Sequence, residues 1–430
     1  MKNIRIYFFF ERTLCIIRDK LEKVDKKDFI DFLLTKVKFL YINVDPDKAT
    51  QVFTMMNGNK AKMQEEEIIK AEILRLATLN ETDREDFEIE WENNLLRSRY
   101  AKQWDNWLRW WNDEAVKSLF RCSNNMGLLV SSFLHIRKDT KLTFENFKSQ
   151  YLSHNEPIEA KRTFDGLRRL QKRFEDAYNN PVIHNMVGAV LRIFDNNNQA
   201  KFIQYYFAED NRTGLEEYYK LVFLGMTHDE IIGKNKEQFA SKYNGTLNAV
   251  NDNYIYFNNP EIAYRLLLRF NIDQDNLQRR FFNFEIWNNR SLEHIQPKSK
   301  VGHITEEGTL LDGNDKPHES NDFDMMREEI KIIKGNEVVK TTEHSIGNLV
   351  LLYKDENSHF KDWDFARKKL EFFSPLKKEL LKSRHLLHTI FVFAEKEKWD
   401  GPSIAQNKIN VITQFKKDYK KIRLEFDYEE

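Results

Sequence analysis

Apolar residues recur at three- and four-residue spacing through most of this chain, the period of an amphipathic helix. Residues 2–40 predict two helices. The run "DKKDFIDFLLTKVKFLYINV" passes from a helix into a short strand at 38–44. Residues 45–77 predict helix, turn and helix, with Asn57–Gly58–Asn59 as the turn. Two further helical pieces follow between Leu76 and Arg99, separated by the polar "NETDRED". From 115 to 290 the helical pattern continues, with polar breaks near 153–158, 178–181, 195–198 and 208–213. "NPEIAYRLLLRFNI" (259–272) is its strongest apolar helix.

After 290 the character changes. "RSLEHIQPKSK" (290–300) reads as an extended segment that Pro297 ends. Residues 298–343 are polar and glycine-punctuated, the pattern of a long loop or insertion. "HSIGNLVLLYKDEN" then predicts a turn into an apolar strand, and helices resume from Trp363.

Trp104, Trp107 and Trp111 fall on one helical face. Such a stripe could stack nucleobases. The same periodicity is how a helix buries one side, and that reading is preferred.

Composition sharpens this picture. The chain has 430 residues, enough for about two to four domains. Hydrophobic residues make up 41% and charged residues 32%, with 14 Gly and 8 Pro. That is the composition of a globular, mainly helical protein with a heavily charged surface. The 68 basic residues balance the 68 acidic ones, so a local basic face, not net charge, would have to attract nucleic acid. Cys15 and Cys122 can form neither a disulfide framework nor a cysteine-rich zinc site, which points to a reducing cytoplasm. The N-terminal "IYFFF" is interrupted by Glu11 and Arg12, too soon for a signal peptide, and no run is long enough to span a membrane.

The unusual polar residues collect after 290: Glu293–His294, His344, Asn348, Asn357 and Lys368. His294 precedes Asn348 by 54 positions, Asn348 precedes Asn357 by 9, and Asn357 precedes Lys368 by 11. Taken together, "SLEHIQP", "IGNLVLL" and "NSHFKDWDFARKK" resemble the ββα-metal (HNH, His-Me finger) element of the C-terminal nuclease domain of GmrSD-type restriction endonucleases. The tail "TIFVFAEKEKWDGPSIAQNKINVI" fits that family's closing segment.

The resemblance implies a mainly α chain, a multi-helical body with a C-terminal HNH-like nuclease finger. Its divisions would be 1–80, 81–285 and 286–430, the last with the insertion 298–343. The implied activity is metal-dependent hydrolysis of DNA phosphodiester bonds, in restriction of foreign or phage DNA. His294 would be the general base, because a neutral imidazole titrates near working pH. Asn348 would orient that imidazole or brace the finger. Glu293 and Asn357 would offer oxygen ligands to one Mg²⁺ or Mn²⁺ ion. In many relatives the position of Asn357 is a histidine, and His359 stands two residues on, so the ligand set stays open. Lys368, Lys298, His344 and His359 are candidates for contact with phosphate. Lys298, Lys300, Lys354, Lys361, Arg367, Lys368 and Lys369 would make the rim basic.

Residues 49–75 are similar to the end of the ParB-like domain that precedes the nuclease in such proteins. Phe53 and Asn57 match its pattern, while Lys60 stands where glycine is usual. Its upstream "DGQQR"-like run is not found, nor is a Walker A sequence, so no nucleotide site is carried over. The chain is expected to begin inside that domain, with a separate ParB-like sensor/NTPase subunit as one possible partner. Homodimerisation is a second possibility. A catalytically inactive scaffold subunit and a nuclease acting on RNA are the competing readings.

Overall fold

The structure is a computed structural model. It describes residues 13–18, 25–38, 64–79, 87–122, 126–135, 142–211, 214–319, 322–360, 362–374 and 381–428. The strand expected at 38–44, the Asn57–Gly58–Asn59 turn, "NETDRED" and Lys361 lie outside them in whole or in all but one residue. The chain divides into two units, Met1–Gln64 and Glu65–Glu430.

The first unit contains a helical stretch at 13–18 and helix α1 (Lys26–Lys36). The side chain of Asp25 caps α1 by accepting from the amides of Lys27 and Asp28.

The second unit is mainly α. Its body runs through α2 (Glu65–Ala77), α3 (Phe87–Trp111), α4 (Glu114–Phe120), α5 (Gly127–Phe133), α6 (Phe144–Tyr151), α7 (Pro157–Asn179), α8 (Pro181–Ile193), α9 (Asn196–Ile203), α10 (Leu215–Leu224), α11 (His228–Ile232), α12 (Lys236–Asn251), α13 (Ile255–Asn258) and α14 (Pro260–Leu277). The breaks expected near 153–158, 178–181, 195–198 and 208–213 each fall at helix boundaries. Proline opens α7, α8 and α14, where its missing N–H costs nothing. Trp104, Trp107 and Trp111 are buried, so the tryptophan stripe is core. Trp107 stacks on Phe164, and the Trp111 indole N–H donates to Gln171 at 2.7 Å.

The C-terminal part holds the β structure. Strand β1 (Arg290–His294) pairs antiparallel with β7 (Leu349–Tyr353), with Glu293 opposite Val350 and His294 opposite Leu349. The 298–343 segment, expected as a loop, is built from short strands. β2 (Val301–Ile304) lies between β3 (Leu310–Asp312) and β4 (Met325–Met326). β5 (Lys331–Lys334) and β6 (Glu337–Lys340) form a hairpin. These strands have two to four residues each, too short for alternation to show against their polar surroundings. After β7 come α15 (Lys354–Phe360), α16 (Phe365–Phe373), α17 (Leu387–Glu395) and α18 (Gly401–Glu425).

Strand β7 reads "LVLLY" without a polar residue because both of its faces are covered. Leu349, Leu351 and Tyr353 join the main core of the helical body. Val350 and Leu352 join a second cluster with Phe360, Phe365, Phe372, Phe393 and Trp399. The β1–β7 pair is thus a partition between two cores.

Candidate functional site

Neighbouring side chains on a strand point to opposite faces. Ser291 and Glu293 therefore share one face of β1, and Leu292 and His294 the other. The contacts agree. The Asn357 amide, on α15, donates to Ser291 Oγ at 2.5 Å and to the Leu292 carbonyl at 3.1 Å. Asn357 lies inside α15, not in the turn before it.

On that face Glu293 Oε1 accepts from Lys368 Nζ at 2.5 Å, and the same ammonium donates to the His294 carbonyl at 2.7 Å. Lys368 is fully buried. Burial pushes the Glu293 carboxyl up and the Lys368 ammonium down, and each charge is held against that push by the other. Lys368, expected at a phosphate, is thus the counter-ion of Glu293. His359 Nε2 sits 3.1 Å from Glu371.

On the opposite face His294 meets the helical body. Its ring lies 4.4 Å from that of Tyr256 on α13 and 5.5 Å, edge to face, from that of His344. His294 Nε2 and His344 Nδ1 are both buried and have no hydrogen-bond partner. Burial, then the charges of His344, Lys298 and Lys368, holds the His294 pKa well below its ordinary value, so the imidazole is neutral at pH 7.

His344 is held from its other nitrogen. Nε2 lies 3.3 Å from Glu343 Oε1, and Arg327 grips the same carboxylate through Nη2 at 2.5 Å and Nε at 3.1 Å. Burial alone would raise the Glu343 pKa, but the bonds from His344 and Arg327 outweigh it and hold it at about 2. His344 Nε2 thus faces the carboxylate, and Nδ1 is its buried atom without a partner. Phe257 packs on His344, with ring centroids 4.7 Å apart, and Lys298 Nζ lies over the Tyr256 and Phe257 rings.

Asn348 ties the two parts together and does not touch the imidazole. Its Oδ1 accepts from the Gln296 amide at 2.9 Å, and its Nδ2 donates to the carbonyls of Gln296 and Glu343, each at 2.9 Å. It is fully buried and fixes the chain just after His294 against the chain just before His344.

Residues 240–413 match the family described as GmrSD restriction endonucleases, C-terminal domain. This segment is similar to a GmrSD C-terminal domain. The GmrSD match takes in α13, β1, the 298–343 segment, β7 and most of α18, and so every residue of the cluster. Neither the curated proteins nor the solved structures include a significant match to the chain. The ParB-like likeness of 49–75 lies outside the match and rests on sequence pattern alone.

Sequence reasoning assigned no role to Glu343, Arg327 and Tyr256. A signal for Glu343 was present, because "EH" occurs twice, in "LEHIQP" and in "TEHSIGN". Arg327 and Tyr256 carry no such mark.

The donor set can be tested against a divalent ion. Among the described residues no group of three or more His, Cys, Asp or Glu could hold a metal. Glu293 and Asn357 nevertheless supply hard oxygen atoms on one strand face. Mg²⁺ commonly takes one or two protein carboxylates, keeps several waters and accepts substrate phosphate oxygens. Glu293 Oε1 is already held by Lys368, so an ion there would have to displace that ammonium. No helix among the described residues is long and apolar enough to cross a membrane.

Proposed function

We propose that the chain is a metal-dependent endonuclease that hydrolyses DNA phosphodiester bonds through a ββα finger formed by β1, β7 and α15, acting in restriction of foreign DNA. The observation that carries this reading is the pair of facing histidines, each with a buried, unpartnered ring nitrogen, inside a segment that matches a restriction endonuclease family.

His294 acts as general base. Its depressed pKa keeps the lone pair free at neutral pH, as a water-activating base requires. His344, held through Nε2 by Glu343, is the second group beside the scissile phosphate. Asn348 positions both histidines through backbone bonds. Glu293 and Asn357 would hold a divalent ion, which when bound would supply positive charge to the phosphate and leaving oxygen. Entry of a phosphate requires Tyr256 or Phe257 to swing aside, because His294 Nε2 is sealed from solvent in this conformation.

The same sealing, and the hold of Lys368 on Glu293, favour the second reading, a binding subunit without activity of its own. Plasmid nicking separates the two. The purified chain with Mg²⁺ or Mn²⁺ is expected to nick supercoiled DNA, and His294→Ala to abolish nicking. Equal inertness of both proteins with either ion would sink the nuclease reading. Preferential cleavage of a matched RNA duplex would redirect it to RNA.

A further inference from the structure

The β5–β6 hairpin has no place in the chemistry above, yet its surface is unusual. Gly335 turns the chain at φ 59°, in the first central position of a two-residue loop that calls for positive φ. The register places Lys331 opposite Lys340 and Ile333 opposite Val338. By strand alternation these four side chains share one face.

That face is costly to the fold. Directly opposed like charges destabilise an antiparallel pair. Ile333 is 68% exposed and Val338 52%, with no apolar cover from the protein. On the other face Ile332 and Val339, also cross-strand partners, are half-buried. The hairpin therefore has one face turned toward the protein and one left open, and the open face carries its two opposed cations and its two most exposed apolar side chains.

Its attachment is equally informative. The hairpin is closed at its base by the Thr341 amide donating to the Ile330 carbonyl at 2.9 Å. Arg327 lies four residues before β5, and Glu343 and His344 lie three and four residues after β6. Strands of four residues extend about 13 Å. The hairpin thus projects from the two chain segments that hold His344, and its reach is comparable to the width of a DNA major groove, ~12 Å.

We infer that the β5–β6 hairpin is a DNA-contacting ribbon, entering a groove of the duplex whose backbone lies at the histidine pair. Lys331 and Lys340 contact the phosphates, and Ile333 and Val338 press on sugars or base edges. The charge of the face selects this occupant, because an apolar protein partner would have to bury two opposed ammonium groups without counter-ions. The inference rests on the nuclease reading for the choice of ligand, but its test does not use cleavage.

The test is duplex binding in EDTA. A fluorescent 24-base-pair duplex is titrated with the full chain over a series of salt concentrations. The variants are Lys331→Gln/Lys340→Gln and Ile333→Ser/Val338→Ser. All four side chains are exposed, and matching circular dichroism and melting curves confirm folding. Loss of two phosphate contacts is expected to make the slope of log K against log salt shallower by about 1.8. The apolar pair should weaken binding several-fold with the slope unchanged. Unchanged affinity and slope in both variants, or no duplex binding by the wild type at low salt, would overturn the inference. A hairpin that binds as expected in a chain that never nicks DNA would leave the inference standing and remove the nuclease reading.

Discussion

Replacing Asn348 with alanine isolates the link between the two histidines. The amide makes three hydrogen bonds, one from the Gln296 N–H and one each to the Gln296 and Glu343 carbonyls. At ~1 kcal/mol net per bond the variant loses about 3 kcal/mol, and the Gln296 N–H, left buried without a partner, can add to that. The loss falls on a local element. Ile295 N still donates to the Asn348 carbonyl, and the two hydrophobic cores are untouched. The expected result is therefore local opening of the segment after β1, with the helical body intact.

Hydrogen exchange read by mass spectrometry reports this directly. A peptide covering 290–300 should exchange about 100-fold faster in Asn348→Ala, since 1.4 kcal/mol is a factor of ten. Peptides from α7 should be unchanged. Asn348→Asp keeps the acceptor for Gln296 N–H but turns an oxygen toward two carbonyls, so it should open the segment at least as much. Exchange within threefold of wild type at 290–300 would refute the clamp. An equal rise across α7 would show that Asn348 supports the whole fold and not the site.

Other perturbations follow from the same geometry. Glu343 is held at about 2, below its ordinary value, so the stability it confers is present above pH ~4.3 and lost as pH falls toward 2; relative to Glu343→Gln, the wild type should lose about 3 kcal/mol across that window in denaturant titrations. Lys368→Met strands the buried Glu293 carboxylate and should cost about 3–5 kcal/mol, whereas Glu293→Gln with Lys368→Met should recover much of it; a double variant as unstable as the single one would argue against a coupled pair. A Cβ on Gly347 would collide with the Ile404 carbonyl and the Lys408 amide, so Gly347→Ala should lower the melting temperature by several degrees, and an unchanged value would mean α18 can withdraw. His294 is neutral well below pH 6.5, so the acid limb of any nicking activity should lie below that value; a limb at or above 6.5 would assign the base elsewhere.

The helices of the body were legible because each has a single buried face and a proline or polar break at its boundary. β1 and β7 were legible for a different reason. A short run bearing Glu-His and a five-residue apolar run stand out against helical surroundings. The strands inside 298–343 were not, since two- to four-residue elements leave no period to count. At the site, the sequence marked which residues are unusual but not which ones meet. His344 was in view, but Glu343 and Arg327, which hold it, come from a segment that reads as loop. Asn357 sits inside α15, although Asn357–Ser358 read alone suggests a cap. Lys368 reads in the sequence as a phosphate contact, and the fold places its ammonium beside Glu293.

The helical body is also part of the site. Tyr256, Phe257 and the loop before them build the wall over the histidines, and that loop is tied to the C-terminal part at several points. Thr342 Oγ1 donates to the Asn253 carbonyl at 2.5 Å, the Tyr256 amide donates to the His344 carbonyl at 3.2 Å, and Lys408 on α18 donates to Asn251 O and Asn253 Oδ1, each at 2.6 Å. Burial lowers the Lys408 pKa to about 8, against the opposing pull of the Asp252 charge. A shift of the 251–257 segment would then move Tyr256 off His294 and strain the Asn253 and Lys408 contacts together. The body thereby meets the histidines directly: the Tyr256 ring lies against His294, and the residues just before Tyr256 are tied to α18, the helix in which the matched segment ends.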